Sequence, residues 1–340
     1  MPASSPGTVP RATLHLFPGQ GDFALTPLVK GLLAHPPLRD AVAGVFEEVD
    51  RVAVEHGLAP LGPRLVSDAP PSGRDLAEGP PGTAQLALFG ASLSVHRALC
   101  AAGRVPERLL AVSFGEIPAL VAAGCFTVPD GARIALRLGQ LLHDCPGGLT
   151  LLGAGEETAH ALVRTAGVAL GPSWERVVVG CVNDPHETVL AGPLPALELV
   201  EKLAHERGIP ATRLRLPFLS HHPSLGRTAA VFAAFVGNLP ARPPLLPVHS
   251  AVAQGVHGPG TDLPAALAHC LTRPARLPET LRRAAPGPAL LLEAGTGGAL
   301  TRNARHIVPG ALARAPLADP GFSWSPHPVP VPVPHPGAVG

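Results

Sequence analysis

The chain has 340 residues, 46% hydrophobic and 15% charged, with a formal net charge of +1. Only two lysines, Lys30 and Lys202, accompany the arginines, and no basic stripe forms, which argues against nucleic-acid binding. Five widely spaced cysteines (Cys100, Cys125, Cys145, Cys181, Cys270) without a C-x-x-C pair argue against a zinc site or a disulfide framework, and no apolar run reaches the length of a membrane span. Residues 1–11 read as a loose tail without the charged and apolar regions of a signal peptide, so a cytoplasmic protein is expected. A strand is predicted over 13–17, breaking at Pro18-Gly19-Gln20-Gly21. A helix over 37–55 carries Val42, Val45, Phe46 and Val49 on one face. The Pro- and Gly-rich stretch 60–82 is expected to be loop, and 83–102 is helical, with Leu86, Phe89, Leu93 and His96 spaced for one face.

A short strand over 108–112 leads into the tight turn Ser113-Phe114-Gly115, followed by helices over 116–123 and 130–143. Between 148 and 216 the order becomes strand, helix, strand, strand, helix, strand. The strands are predicted at 149–153, 176–182, 187–191 and 212–216, and the helices at 156–167 and 194–208. That order is the ferredoxin-like split β-α-β unit. A helix near 225–236 and strands over 248–252 and 289–293 follow, and the Val-Pro repeats at the end cannot make a packed core. The expected organisation is a flexible tail over 1–11, a large α/β unit from 12–147 and 217–318, a small ferredoxin-like unit over 148–216, and a disordered Pro-rich tail over 319–340.

The passage Ala111-Val112-Ser113-Phe114-Gly115-Glu116 has the strand–Ser–helix form of a nucleophile elbow. A serine there sits in strained backbone at the head of a helix, where the next N–H and the helix N-terminus stabilise an oxyanion. Ala111 replaces the first glycine of such elbows, and on this segment alone a serine capping a helix is an equal reading. Two further pieces bear on the choice. The turn Phe17-Pro18-Gly19-Gln20-Gly21 is suited to presenting a backbone N–H, and Leu219-Ser220-His221-His222-Pro223 places a histidine at a helix start. A serine hydroxyl needs such a base to become a nucleophile at neutral pH.

With these pieces the chain, from about 14 to 315, resembles the malonyl-CoA:acyl-carrier-protein transacylases and the acyltransferase domains of polyketide and fatty acid synthases. The F-P-G-Q-G opening matches Phe17 to Gly21, the alanine-rich helix start matches Thr83-Ala84-Gln85, and G-H-S-x-G-E matches Ala111 to Glu116 in part. Further landmarks match at His221 to Leu225, Val182-Asn183-Asp184-Pro185, Thr272-Arg273-Pro274-Ala275-Arg276 and Glu293-Ala294-Gly295. The resemblance implies an α/β fold, an α/β-hydrolase-like large domain with an inserted ferredoxin-like small subdomain. It implies Ser113 as acyl-accepting nucleophile, His221 as base, and the N–H groups of Gln20 and Phe114 as oxyanion hole. The base would be oriented by backbone carbonyls near the strand over 248–252. It also implies acyl-CoA as donor, the phosphopantetheine of an acyl carrier protein as acceptor and partner, and no bound cofactor.

Two departures concern the acyl pocket. Val112 stands where the family has histidine, which makes the site more apolar. The family's dicarboxylate-binding arginine falls, without a gap, on Leu138, whereas a helix starting one residue earlier would bring Arg137 there. One residue is about 100° around a helix, enough to turn a side chain out of a pocket. The resemblance places Gln85 among the substrate-binding residues, with hydrogen bonding to nearby loops as its plainer reading; Glu116 reads as a complement to the helix N-terminus, and Cys125 and Cys181 as buried small apolar residues. His222 reads as a neighbour of the base, and the other histidines lack i,i+4 spacing, so no metal site is expected. The expected function is transfer of a malonyl or short acyl group to a carrier protein, in polyketide or fatty acid synthesis. The alternatives are a carrier-protein thioesterase that edits short starter units and an inactive docking partner.

Overall fold

The computed structural model describes residues 12–170 and 176–325. The tail expected over 1–11 and most of the Pro-rich tail lie outside those residues. Eleven strands are present among them: β1 (Ala12–Phe17), β2 (Arg108–Ala111), β3 (Gly148–Leu152), β4 (Val178–Asp184), β5 (Glu187–Gly192), β6 (Ala211–Arg213), β7 (Val248–Ser250), β8 (Gly255–His257), β9 (Ala275–Arg276), β10 (Ala289–Glu293) and β11 (Leu312–Arg314). They form two sheets.

The first sheet runs β11-β10-β1-β2-β7-β8, parallel throughout except for the antiparallel edge strand β8. Parallel strands need cover on both faces, and β1 accordingly buries Leu14, His15, Leu16 and Phe17 completely. Helix Thr83–Ala101 lies in the middle of the main core. Phe89 and Leu93 fill one side, and Ala87, Ala91 and Ser94 allow close packing on the others. The second sheet runs β6-β3-β5-β4-β9, antiparallel except that β9 lies parallel to β4. Helices Glu156–Leu170 and Leu194–Glu206 cover one face of it. β9 ties the two sheets together. The Arg276 N–H donates to the Ala251 carbonyl at 2.7 Å, and the Arg276 guanidinium holds Glu156 through two bonds of 2.8 and 2.5 Å.

Several sequence expectations change. The stretch 60–82 contains two short helices, Gly62–Leu65 and Gly73–Ala77, the second opened by a Ser72/Asp75 capping box. The strand expected to reach 252 stops at Ser250, because the Ser250 hydroxyl accepts the N–H groups of Val252 and Ala253 and turns the chain. The strand expected over 212–216 is confined to β6, which frees Leu214 and Leu216 to line a cleft. Residues 319–325, expected to belong to a disordered tail, are packed. Trp324 is buried, stacks with His35 and packs edge-on against Phe322, over which the Arg104 guanidinium lies 4.9 Å from the ring centre.

One polar cluster sits inside this core. His15 on β1 meets His96 and Cys100, which lie at i,i+4 on one helix face, a spacing that the sequence reading passed over. Their ligand atoms fall within 4.8 Å of one another, close enough for a metal ion. The hydrogen bonds among them nevertheless make a complete chain without one. His15 Nε2 donates to the Arg104 carbonyl (2.9 Å), leaving Nδ1 to accept from His96 Nδ1 (2.9 Å), while His96 Nε2 faces the Cys100 thiol at 3.8 Å. Burial pushes the two imidazoles down to about 3 and about 4 and the thiol up to about 11, so the cluster is neutral at physiological pH.

Candidate active site

Ser113 follows β2, where the Val112 N–H still donates to the Phe17 carbonyl at 3.0 Å. The chain then closes a 3-10 turn over Ser113–Gly115, and helix Glu116–Ala122 begins at once. Such a turn forces the backbone against β1: a Cβ on Gly115 would stand 2.2 Å from the Phe17 oxygen, so only glycine fits. Ser113 itself is held at φ 56°, in the left-handed region, at a cost of about 1–3 kcal/mol. His221 has φ 54°, and Gln254 is the only other such non-glycine among the described residues. Strain at both members of one side-chain pair points to a functional site.

The pair is in contact. Ser113 Oγ lies 2.7 Å from His221 Nε2, and His221 Nδ1 lies 2.7 Å from the Arg273 carbonyl oxygen. A carbonyl can only accept, so Nδ1 carries the proton and Nε2 offers its lone pair to the serine hydroxyl. The orienting carbonyl is not from the strand over 248–252, as expected, but from Arg273, the C-cap of helix Leu263–Thr272. The His222 N–H donates to Leu271 at the same helix end, fixing the histidine loop there. His222 points away from the serine: its ring nitrogens engage Ser224 Oγ at 2.7 Å and the Arg176 carbonyl at 2.8 Å.

His221 is 3% exposed. Burial disfavours its charged form, while the adjacent Cys181 thiol, the Arg273 carbonyl and the Glu116 carboxylate favour it, and the balance lifts its pKa above 6.5. The 3-10 turn Gln20–Asp22 packs against the serine turn. Gln20 opens its turn and Phe114 is the second residue of the other, so neither N–H has an acceptor within its own helix. The Gln85 amide donates to the Gln20 side-chain oxygen at 2.8 Å and anchors that loop from behind.

A cleft of about 220 Å³ opens over Ser113 between the two sheets. Val112, Ser113, Gln20 and His221 line it, whereas Gln85, Arg137 and Leu138 do not. Helix Val128–His143 packs its apolar face inward, which buries Leu138 at 5% exposure in the main core and leaves Arg137 half-buried on the flank. The cleft wall that sequence reasoning missed comes from the second sheet and from helix Ala299–Ile307, with Cys181, Asn183, Glu187, Arg302 and Asn303 among its residues. Asn183 stood in a landmark segment of the resemblance. The rest had no local signal.

Glu116 does more than face a helix N-terminus. Fully buried, it accepts from the Ser250 hydroxyl and lies 3.0 Å from His257 Nε2, joining the elbow helix to β7 and β8. Replacing it with leucine takes away the acceptor of the Ser250 hydroxyl proton and the partner of His257 Nε2, both buried. Glu116→Leu is expected to lower unfolding stability by about 2–5 kcal/mol, read from urea midpoints at constant m value. An unchanged midpoint would show that the two partners find other acceptors.

The family described as acyl transferase domain matches residues 82–309, more than half of the chain. The chain belongs to the acyl transferase domain family. Malonyl-CoA:acyl carrier protein transacylase of Xanthomonas oryzae superposes with a TM-score of 0.77 at 26% identity, covering 92% of this chain and 96% of its own. The acyl carrier protein S-malonyltransferase of Vibrio cholerae gives a TM-score of 0.74 at 26% identity, covering 89% and 96% respectively. Erythronolide synthase EryA3 of Saccharopolyspora erythraea is 27% identical over 266 residues, 77% of this acyl transferase chain. That stretch is 8% of the synthase, so the chain spans a small part of the curated relatives that it matches.

Proposed function

We propose that the protein moves a malonyl or short acyl group from coenzyme A to an acyl carrier protein through an acyl-serine, in polyketide or fatty acid synthesis. The observation that carries this reading is the chain from Ser113 Oγ through His221 to the Arg273 carbonyl, with the serine in left-handed backbone. His221 Nε2 takes the hydroxyl proton as Ser113 Oγ attacks the thioester carbonyl. The Gln20 and Phe114 N–H groups stabilise the oxyanion. The C–S bond breaks, and the departing thiolate takes the proton from His221. In the second half the pantetheine thiol of the carrier gives its proton to His221 and attacks the acyl-serine carbonyl, the ester C–O bond breaks, and Ser113 Oγ takes the proton back from His221. No bound cofactor enters either half.

The same reading takes the first sheet and its helices as an α/β-hydrolase-like domain and residues 148–216 as a ferredoxin-like insertion. In support, Ser113 follows the C-terminal end of a central parallel strand, and the inserted strands lie in the antiparallel order β6-β3-β5-β4. A cytoplasmic setting accords with five free cysteines and a CoA donor, and among the described residues no helix is long and apolar enough to cross a membrane.

Two expected results test the reading. Acylated carrier protein should exceed free acid as carrier concentration rises, and free acid dominating at saturating carrier would make the protein a thioesterase instead. The acylation rate should fall as pH drops through the His221 pKa, with a midpoint above 6.5, because only the neutral imidazole accepts the serine proton. A rate flat between pH 6 and 8 would remove His221 from the base role.

A further inference from the structure

The walls of the cleft say what kind of acyl group it holds. Leu149 and Leu151 alternate along β3 and so share one face, and Leu151 lies directly opposite Val189 on the neighbouring strand β5. Leu216 and Phe218 continue this wall, and Val112 closes the side next to the nucleophile. These six side chains present hydrocarbon alone.

Charge is confined to one corner. Among the described residues the lining holds one carboxylate, Glu187, and one guanidinium, Arg302, which lie 3.4 Å apart. Glu187 also accepts from Asn183 at 2.9 Å and Asn303 at 3.1 Å, so both of its oxygens are engaged. The Arg302 side chain is 55% exposed, and its charge is matched by Glu187 and shared with water. A second carboxylate brought into this cleft meets a negative group already bonded to the one guanidinium that lines it among the described residues. Along the apolar wall it would lose its hydration without a partner.

We infer that this pocket selects an uncharged, apolar acyl chain, in the size range of butyryl to hexanoyl, over malonyl. The inference rests on the acyl-serine reading above and deepens it. A cleft of about 220 Å³ has room for such a chain beside the thioester. Each methylene that enters a pocket lined by leucine, valine and phenylalanine strengthens binding about fourfold.

The test measures acyl-enzyme formation by intact mass on the full chain, with acetyl-, butyryl-, hexanoyl- and malonyl-CoA at equal concentration. The expected order is hexanoyl and butyryl above acetyl, by about fourfold per added methylene, with malonyl about 10²–10³-fold below butyryl. Malonyl reacting fastest, or rates that fall steadily with chain length, would overturn the pocket assignment while leaving the acyl-serine intact. An adduct that persists in Ser113→Ala would overturn the acyl-serine instead. Calorimetric binding to Ser113→Ala reads the pocket without chemistry: hexanoyl-CoA should bind at least tenfold more tightly than malonyl-CoA. Equal or reversed affinities there refute the inference even if no thioester acylates the wild-type protein.

Discussion

Ser113→Ala is expected to abolish the acyl-enzyme altogether. Mixed with an acyl-CoA that labels the wild-type chain, the variant should show only the unmodified mass. Ser113 Oγ is placed to attack, 2.7 Å from an imidazole nitrogen whose lone pair faces it. Removing Oγ also removes the acceptor of the acyl group, so no alternative base can rescue the step. The fold should survive. Alanine carries the same Cβ into the same left-handed backbone, and the turn is held by bonds that do not involve the side chain, such as Gly115 N–H to the Val112 carbonyl. Unchanged circular dichroism together with full labelling would place the nucleophile elsewhere. The nearest candidate would be the Cys181 thiol, which also lines the cleft.

His221→Ala is expected to slow acylation by roughly 10²–10⁴-fold, the usual contribution of a positioned general base. The adduct should still form slowly, because Ser113 and the proposed oxyanion donors, the Gln20 and Phe114 N–H groups, remain. His222→Ala should change the rate far less, since both nitrogens of that ring are committed to Ser224 and to the Arg176 carbonyl. Its loss should appear in stability. The reverse ranking of the two variants would shift the site by one residue. Arg273→Ala makes a useful control, because the atom that orients His221 is a main-chain oxygen that the substitution keeps. Near-normal acylation by that variant would accord with orientation by the backbone, and a loss as large as that of His221→Ala would refute it.

What the sequence by itself determined was local. The turns at Phe17 to Gly21 and Ser113 to Gly115 follow from backbone preferences over a few residues, whereas the reason Gly115 has no substitute is tertiary, since a Cβ there would strike the Phe17 carbonyl on β1. The strand–helix order over 148–216 follows from periodicity, and its six elements lie where the pattern put them, within a few residues. The resemblance singled out Ser113 and His221 because their motifs are short and contiguous, and the structure brings the two side chains within 2.7 Å of each other. Tertiary structure decided the rest, because those contacts join groups far apart along the chain. The Arg273 carbonyl reaches His221 across 52 residues, and Glu116 meets Ser250 across 134. No window of sequence holds both partners of either contact. The choice between Arg137 and Leu138 depended in the same way on which helix face turns inward. Packing against helix Thr83–Ala101 buries Leu138 in the core and sets Arg137 on the flank, so neither reaches the cleft. The apolar wall over Ser113 arises only when β3 and β5 pair in register, which sets Leu151 opposite Val189. A slip of one residue would turn the other face of that strand to the substrate.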